Sequence, residues 1–349
     1  MLFTSDNWSG IHPTVLEAMM TANIGNAPAY GADDVTARAI GLLRDIFEQD
    51  ITVGFVATGT AANALALACM TPPWGAILAH KNSHINVDEC GATEFYTAGA
   101  KIIPLEGQHG KLTPDIVRDA MKFFTPQQPH RVVPKVLSLT QGTECGTVYS
   151  ADEIGALCDT AKSFGLKVHL DGARFSNACA RGKASAAAMT ARAGVDVLTF
   201  GGTKNGCLAA EAIIFFDQQC GEQLAVRQRR AGHVFSKYRF LSAQWLGFLQ
   251  NDLWLRLAKI SNTQADRLSK SLAASGVCTL VHPTEINEVF VTMPDDLVST
   301  LKEQGATFYD WIQPGDPYKG KLRRFVTSYM TTDDQVTEFS AALRDYINR

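Results

Sequence analysis

The chain predicts an α/β domain on a mainly parallel sheet covered on both faces, followed by a smaller α+β unit. Three observations carry this. Short apolar runs of strand length alternate with helix-like segments through most of the sequence. Those runs are almost continuously apolar, as strands buried on both faces require. After about residue 245 the pattern changes to a long amphipathic stretch followed by short strands.

In order, Thr52–Ala57 reads as a strand and Gly59–Cys69 as a helix opening on small residues. Ala76–Ala79, Lys101–Pro104, Pro134–Leu139, Leu166–Leu170, Val195–Phe200 and Ala212–Phe216 complete a set of seven strands. Ser150–Lys162 is a helix. Its Ser150 and Glu153 have capping-box spacing, in which each side chain satisfies the other's backbone amide. Asp252–Ser275 reads as a long amphipathic helix, Glu288–Met293 and Arg324–Ser328 as strands, and the chain from Asp333 as a closing helix. The division drawn from this is a large domain over residues 1–245, with an N-terminal arm, and a small domain over 246–349.

Composition excludes some classes. The chain has 349 residues and a net charge of −3, with 46% hydrophobic and 19% charged residues. Nothing there favours nucleic acid or an anionic membrane surface. No apolar run approaches a membrane span, and Met1–Asn7 shows no basic stretch leading into one, so no secretion signal is expected. The eight cysteines are scattered without a C-x-x-C pair. That suits reduced thiols in a cytoplasmic protein and gives no reason to expect a metal site.

Two runs carry chemistry. Lys167-Val-His-Leu-Asp171-Gly-Ala-Arg174 delivers a carboxylate to a strand end, and Asp196-Val-Leu-Thr-Phe-Gly-Gly-Thr203-Lys204 delivers an amine. Ligands of parallel sheets bind at the carboxyl ends of strands. A carboxylate and an amine at adjacent strand ends match the needs of pyridoxal 5'-phosphate, whose aldehyde forms a Schiff base with an amine and whose pyridinium nitrogen pairs with an acid. Thr58-Gly59-Thr60-Ala-Ala-Asn63 opens a helix after a strand, where free amides and the helix dipole attract phosphate. Alone, that segment is equally a Thr-capped helix, Asp171 a helix cap, Arg174 a surface ion-pair partner and Lys204 a solvated loop lysine. His84, before Glu89, is either a core or cap histidine or an imidazole stacked on a cofactor ring.

Together these fragments resemble the low-specificity L-threonine aldolases, in the fold type I group of pyridoxal-phosphate enzymes related to β-eliminating lyases. The likeness runs through Ser5-Asp6, Ala29–Asp34, Thr58–Asn63, His84 with Glu89, His169–Arg174, Thr203-Lys204 and Arg324-Phe-Val-Thr. It implies that Lys204 is the Schiff-base lysine, that Asp171 holds the pyridine nitrogen and Arg174 the ring oxygen, that Gly59 and Thr60 bind the phosphate, and that Thr203 also binds the cofactor. It further implies that His84 stacks on the ring with Glu89 supporting it, that Ser5 and Arg324 grip the substrate carboxylate, and that His130 lies near the substrate hydroxyl.

The chain departs from the family pattern at Lys237, where relatives carry a phosphate-binding arginine; Arg239 is an alternative. Arg323 neighbours Arg324, and strand alternation lets only one face the site. The activity implied is retro-aldol cleavage of an L-β-hydroxy-α-amino acid to glycine and an aldehyde, with His84, His130 or a water as base. Another lyase, a transaminase or a racemase on the same scaffold is the alternative, and a non-catalytic carrier a further one. Trp8, Phe95 and Tyr96 either line a pocket for an aromatic substituent or belong to the core. The resemblance also implies a homo-oligomer, a tetramer built as a dimer of dimers, in which Tyr30 and Lys237 reach a neighbouring subunit's site.

Overall fold

All seven expected strands join one sheet. They are β1 (Thr52–Val56), β2 (Gly75–His80), β3 (Lys101–Leu105), β4 (Val133–Thr140), β5 (Lys167–Gly172), β6 (Val197–Gly201) and β7 (Glu211–Phe215). Their order is β1-β7-β6-β5-β4-β2-β3. Strand β7 runs antiparallel to β1 and β6, and the other pairings are parallel. The computed structural model describes residues 1–124, 129–312 and 317–348.

The two faces of the sheet differ. One is covered by the helix Gly59–Met70, whose Ala61, Ala62, Ala64, Ala66 and Ala68 are buried. Its small side chains let the helix backbone approach the strands closely. The other face is aromatic: Phe200 packs against Trp245 (5.1 Å between ring centres), Phe175 (5.4 Å) and Trp254 (5.5 Å). The Ser150–Glu153 capping box forms as expected. None of the eight cysteines is disulfide-bonded. No helix among the described residues is long and apolar enough to cross a membrane.

A second sheet contains β8 (Thr279–Leu280), β9 (Glu288–Thr292), β10 (Tyr309–Asp310) and β11 (Leu322–Val326), ordered β10-β11-β9-β8 and antiparallel throughout. Helices Leu253–Ala274, Asp295–Glu303 and Asp333–Ile347 pack with it. The expected strand from Arg324 begins earlier, at Leu322, so both arginines lie inside it.

The two cores are joined at two places. Phe3 lies in the second unit's core, in edge contact with Phe339 at 5.5 Å. The backbone of Phe3 bonds Thr307 and Val326. The helix Leu253–Ala274 serves both cores: Leu253, Trp254 and Leu257 pack with the large sheet, and Ala265, Leu268 and Leu272 with the small one. One amphipathic helix long enough to cover both cores leaves no compositional seam where the packing divides.

Candidate active site

Strands β5 and β6 are neighbours, with Asp171 opposite Thr199 and Gly172 opposite Phe200. The carboxylate and the amine therefore emerge side by side, as the two sequence runs predicted. Past β6 the chain makes a single turn, Thr203–Asn205, closed by Gly206 at φ 106°, a left-handed conformation that favours glycine. Asn205 Nδ2 ties this turn to Trp254 O at 2.8 Å, and the amide of Ala210 donates to Thr203 Oγ1 at 3.1 Å.

Lys204 lines a cavity of about 280 Å³ together with Asn7, Thr58, Gly59, Thr60, Asn63, His84, Glu89, Asp171, Thr199, Thr203 and Glu211. At its floor is a relay centred on Asn63. Asn63 Nδ2 donates to Asp171 Oδ2 (2.9 Å) and Glu89 Oε1 (2.8 Å), and Thr199 Oγ1 donates to Asn63 Oδ1 (2.7 Å). Asp171 Oδ1 accepts from the amide of Ala173 at 3.0 Å. Both oxygens of Asp171 are thus held by donors. His84 Nδ1 lies 2.8 Å from Glu89 Oε1. That bond raises the imidazole's pKa above its ordinary value, against the opposing effect of burial. Burial raises Glu89 in turn, while His84 and Asn63 pull it down.

The rim presents the N-terminus of the helix Gly59–Met70. Thr58 caps the helix Gly59–Met70 by accepting from Ala61 N at 3.2 Å, and Ala62 N bonds Thr58 O. The amides of Gly59 and Thr60 precede these and have no partner inside the helix. A Cβ built on Gly59 would meet nothing within 4 Å, so it would project into open space that a ligand can fill. The donor set fits pyridoxal 5'-phosphate: amide donors for a phosphate, an amine at Lys204, and a carboxylate with both oxygens already oriented.

The remaining expected residues are not among those lining this cavity. Arg174 is buried. Its Nε and Nη2 bind Asp6 at 2.8 and 3.1 Å, and Nη2 is 3.3 Å from Glu288 Oε1. These pairs occupy Nε and Nη2. Arg324 stands on the same side, with Nη1 3.8 Å from Glu288 and its guanidinium 3.9 Å above the Trp311 ring. Arg323 points the opposite way, to Asp295 and Asp310. Ser5 is half-buried and caps the short turn Asp6–Trp8 by accepting from Asn7 N.

The chain does not bring His130 to the cavity. It is an exposed turn residue ahead of β4, at the amino end of a parallel strand, whereas Asp171 and Lys204 lie at carboxyl ends. Eight residues of β4 separate the two edges by roughly 25 Å. Tyr30 and Lys237 are exposed as well, on segments joined by the bond from Tyr30 N to Ser236 O. Arg239 donates to Gly25 O. Trp8 and Phe95 are exposed and Tyr96 packs on Phe95, so none of these three lines the cavity among the described residues.

Four acids or amides were given no role from the sequence: Asp6, Asn63, Glu211 and Glu288. The two glutamates share a signal, a carboxylate opening an otherwise apolar strand.

Comparison with known proteins decides the family. The beta-eliminating lyase model matches residues 3–296. This chain belongs to the beta-eliminating lyase family. Within that family it is 43% identical to the low specificity L-threonine aldolase of Pseudomonas aeruginosa, covering 98% of this chain and 96% of the relative. A solved threonine aldolase from Leishmania major superposes with a TM-score of 0.92 at 27% identity, covering 99% of both chains. The fold of a putative L-allo-threonine aldolase from Listeria monocytogenes also matches, with a TM-score of 0.72 at 17% identity over 96% of this chain and 94% of that one. The architecture is that of the fold type I enzymes expected from the sequence.

Proposed function

We infer that this lyase cleaves L-threonine, L-allo-threonine and related L-β-hydroxy-α-amino acids to glycine and an aldehyde, using pyridoxal 5'-phosphate. The observation that carries this is Lys204 beside Asp171 at adjacent strand ends of one cavity, in a chain similar over its length to L-threonine aldolases. When bound, the cofactor supplies an imine-forming carbonyl and a ring that draws electrons from the substrate's Cα.

Each residue then has a task. The Lys204 amine would hold the cofactor through its carbonyl carbon. Asp171, with both oxygens oriented by Asn63 and Ala173, keeps a proton on the pyridine nitrogen. Gly59, Thr60 and Thr203 hold the phosphate, and Arg324 binds the substrate carboxylate, as planar guanidinium groups do. His84 covers the ring. Glu89 occupies its Nδ1 and leaves Nε2 to take the β-hydroxyl proton. Loss of that proton turns Cβ–OH into an aldehyde as the Cα–Cβ bond breaks, and a proton returned to Cα gives glycine.

The test is product analysis with L-threonine, L-allo-threonine and L-phenylserine, with D-isomers as controls. Glycine and the matching aldehyde in equal amounts from the L-isomers are expected. Ammonia with a keto acid, or transfer of the amine to an added keto acid, would point instead to elimination or transamination.

The same reading extends to assembly as a homo-oligomer, a tetramer built from dimers, in the cytoplasm. Lys204 is the one lysine or arginine among the described residues lining the cavity, so a phosphate dianion lacks a second cation within one chain. Lys237 and Tyr30 are exposed and adjacent, and are assigned to the neighbouring site. Mixing inactive K204A and K237A subunits should restore some activity. A fully active monomer in light scattering would end this part of the reading.

A further inference from the structure

Glu211 opens β7 just after the Lys204 turn, and none of the tasks above uses it. In the sheet it lies between Val56 of β1 and Gly201 of β6. Strand alternation puts its side chain with those of Ile213 and Phe215, which pack toward the helix Gly59–Met70. The carboxyl is therefore buried beneath the cavity, whose wall it forms alongside Lys204 and Thr203. Its space depends on Gly201: a Cβ there would come within 3.0 Å of Glu211 Oε2 and 2.7 Å of Ala173 O. The amide of Thr203, directly before the lysine, donates to Glu211 Oε1 at 3.4 Å.

We propose that Glu211 is a positioning residue that sets the proton affinity of the Lys204 nitrogen. It acts through its charge in a setting poor in water, where an ionised carboxylate favours a protonated nitrogen nearby and a neutral carboxyl does not. Burial is the largest influence on Glu211 and pushes it up to about 7; Thr203 and Lys204 pull the other way, and Asp171 adds to the rise. Asp6 and Glu144 also act on Lys204 by charge, and Cys207, beside Glu211, stays a thiol because burial holds it well above its ordinary value. Glu211 therefore changes charge near neutral pH. It favours a neutral, nucleophilic Lys204 when protonated and holds the proton on that nitrogen when ionised.

The inference rests on the reading that Lys204 carries the cofactor, and the experiment separates the two. Visible absorbance of the loaded protein is titrated with pH for the parent, E211Q, E211D and E211A. Gln keeps an acceptor for Thr203 N–H and removes the charge. The midpoint of E211Q should fall by about one pH unit, E211A should fall with it, and E211D should stay near the parent. A purely structural role predicts no shift in E211Q. An E211Q midpoint equal to the parent's, or E211A unshifted if E211Q does not fold, overturns the proposal while leaving Lys204 intact as the anchor. Absence of any visible band in the parent would sink the anchor reading instead.

Discussion

Asp171 and Glu288 are both buried carboxylates at strand ends, and they are held in opposite ways. Asp171 sits inside one sheet with a donor on each oxygen. Glu288, almost fully buried in the second unit, has no hydrogen bond on either oxygen. It is opposed only by charge, from Arg174 at 3.3 Å and Arg324 at 3.8 Å. A buried carboxylate without hydrogen bonds is costly, so the Asp6–Arg174–Glu288–Arg324 cluster is a loosely satisfied arrangement spanning two units. The contrast separates two demands. A group that tunes electrons must be fixed before the ligand arrives. A group that receives a substrate carboxylate needs an arginine balanced in charge yet not consumed by its own partners.

Breaking the fixed side should cost most. D171N is expected to retain some cofactor but lose turnover by about two orders of magnitude or more, since each pKa unit at the ring nitrogen is worth about 1.4 kcal/mol. Steady-state kcat checks it, and a near-normal kcat would remove Asp171 from its role. R324A should come next, raising KM for L-threonine roughly 10- to 100-fold, the scale of a lost charge-assisted hydrogen-bond pair, with the visible spectrum unchanged. R323A should lower thermal stability and leave KM nearly untouched, because its partners are Asp295, Asp310 and Gly320 O. If R323A shows the KM effect, the strand register of the carboxylate site is wrong.

E288Q sharpens the comparison further. The four-charge cluster is neutral as it stands, so an incoming carboxylate leaves it one negative charge in excess. Removing the Glu288 charge should lower KM several-fold and reduce thermal stability without substrate; a raised KM would contradict this. The smallest effect should be at His84. Its bond to Glu89 raises the imidazole above its ordinary value. The pair therefore contributes stability fully below the ordinary histidine range and loses it as pH rises through the raised value. Thermal melts between about pH 5 and 8 should show that alkaline loss in the parent and not in E89Q.

How much was legible in the sequence follows from what each residue's neighbours along the chain reveal. Asp171, Lys204 and Gly59 could be read because each ends a strand or opens a helix, and parallel strands share one ligand-bearing edge. The Arg174–Asp6 pair could not be read, because nothing near Arg174 announces a partner 168 residues away. Glu211 and Glu288 were missed because a charge at the start of an apolar strand reads as its solvent boundary. His130 was placed by family likeness alone, and the direction of β4 puts it at the other edge. Phe3 and the helix Leu253–Ala274 join the two cores, a link that composition does not show.

The central claim is that Lys204 is the amine on which this lyase works. Borohydride reduction of the loaded protein, followed by peptide mapping, tests it most directly. One pyridoxyl adduct per chain is expected, on the peptide containing Thr203-Lys204-Asn205. An adduct on any other lysine, or a reduced protein that keeps full activity, would contradict it.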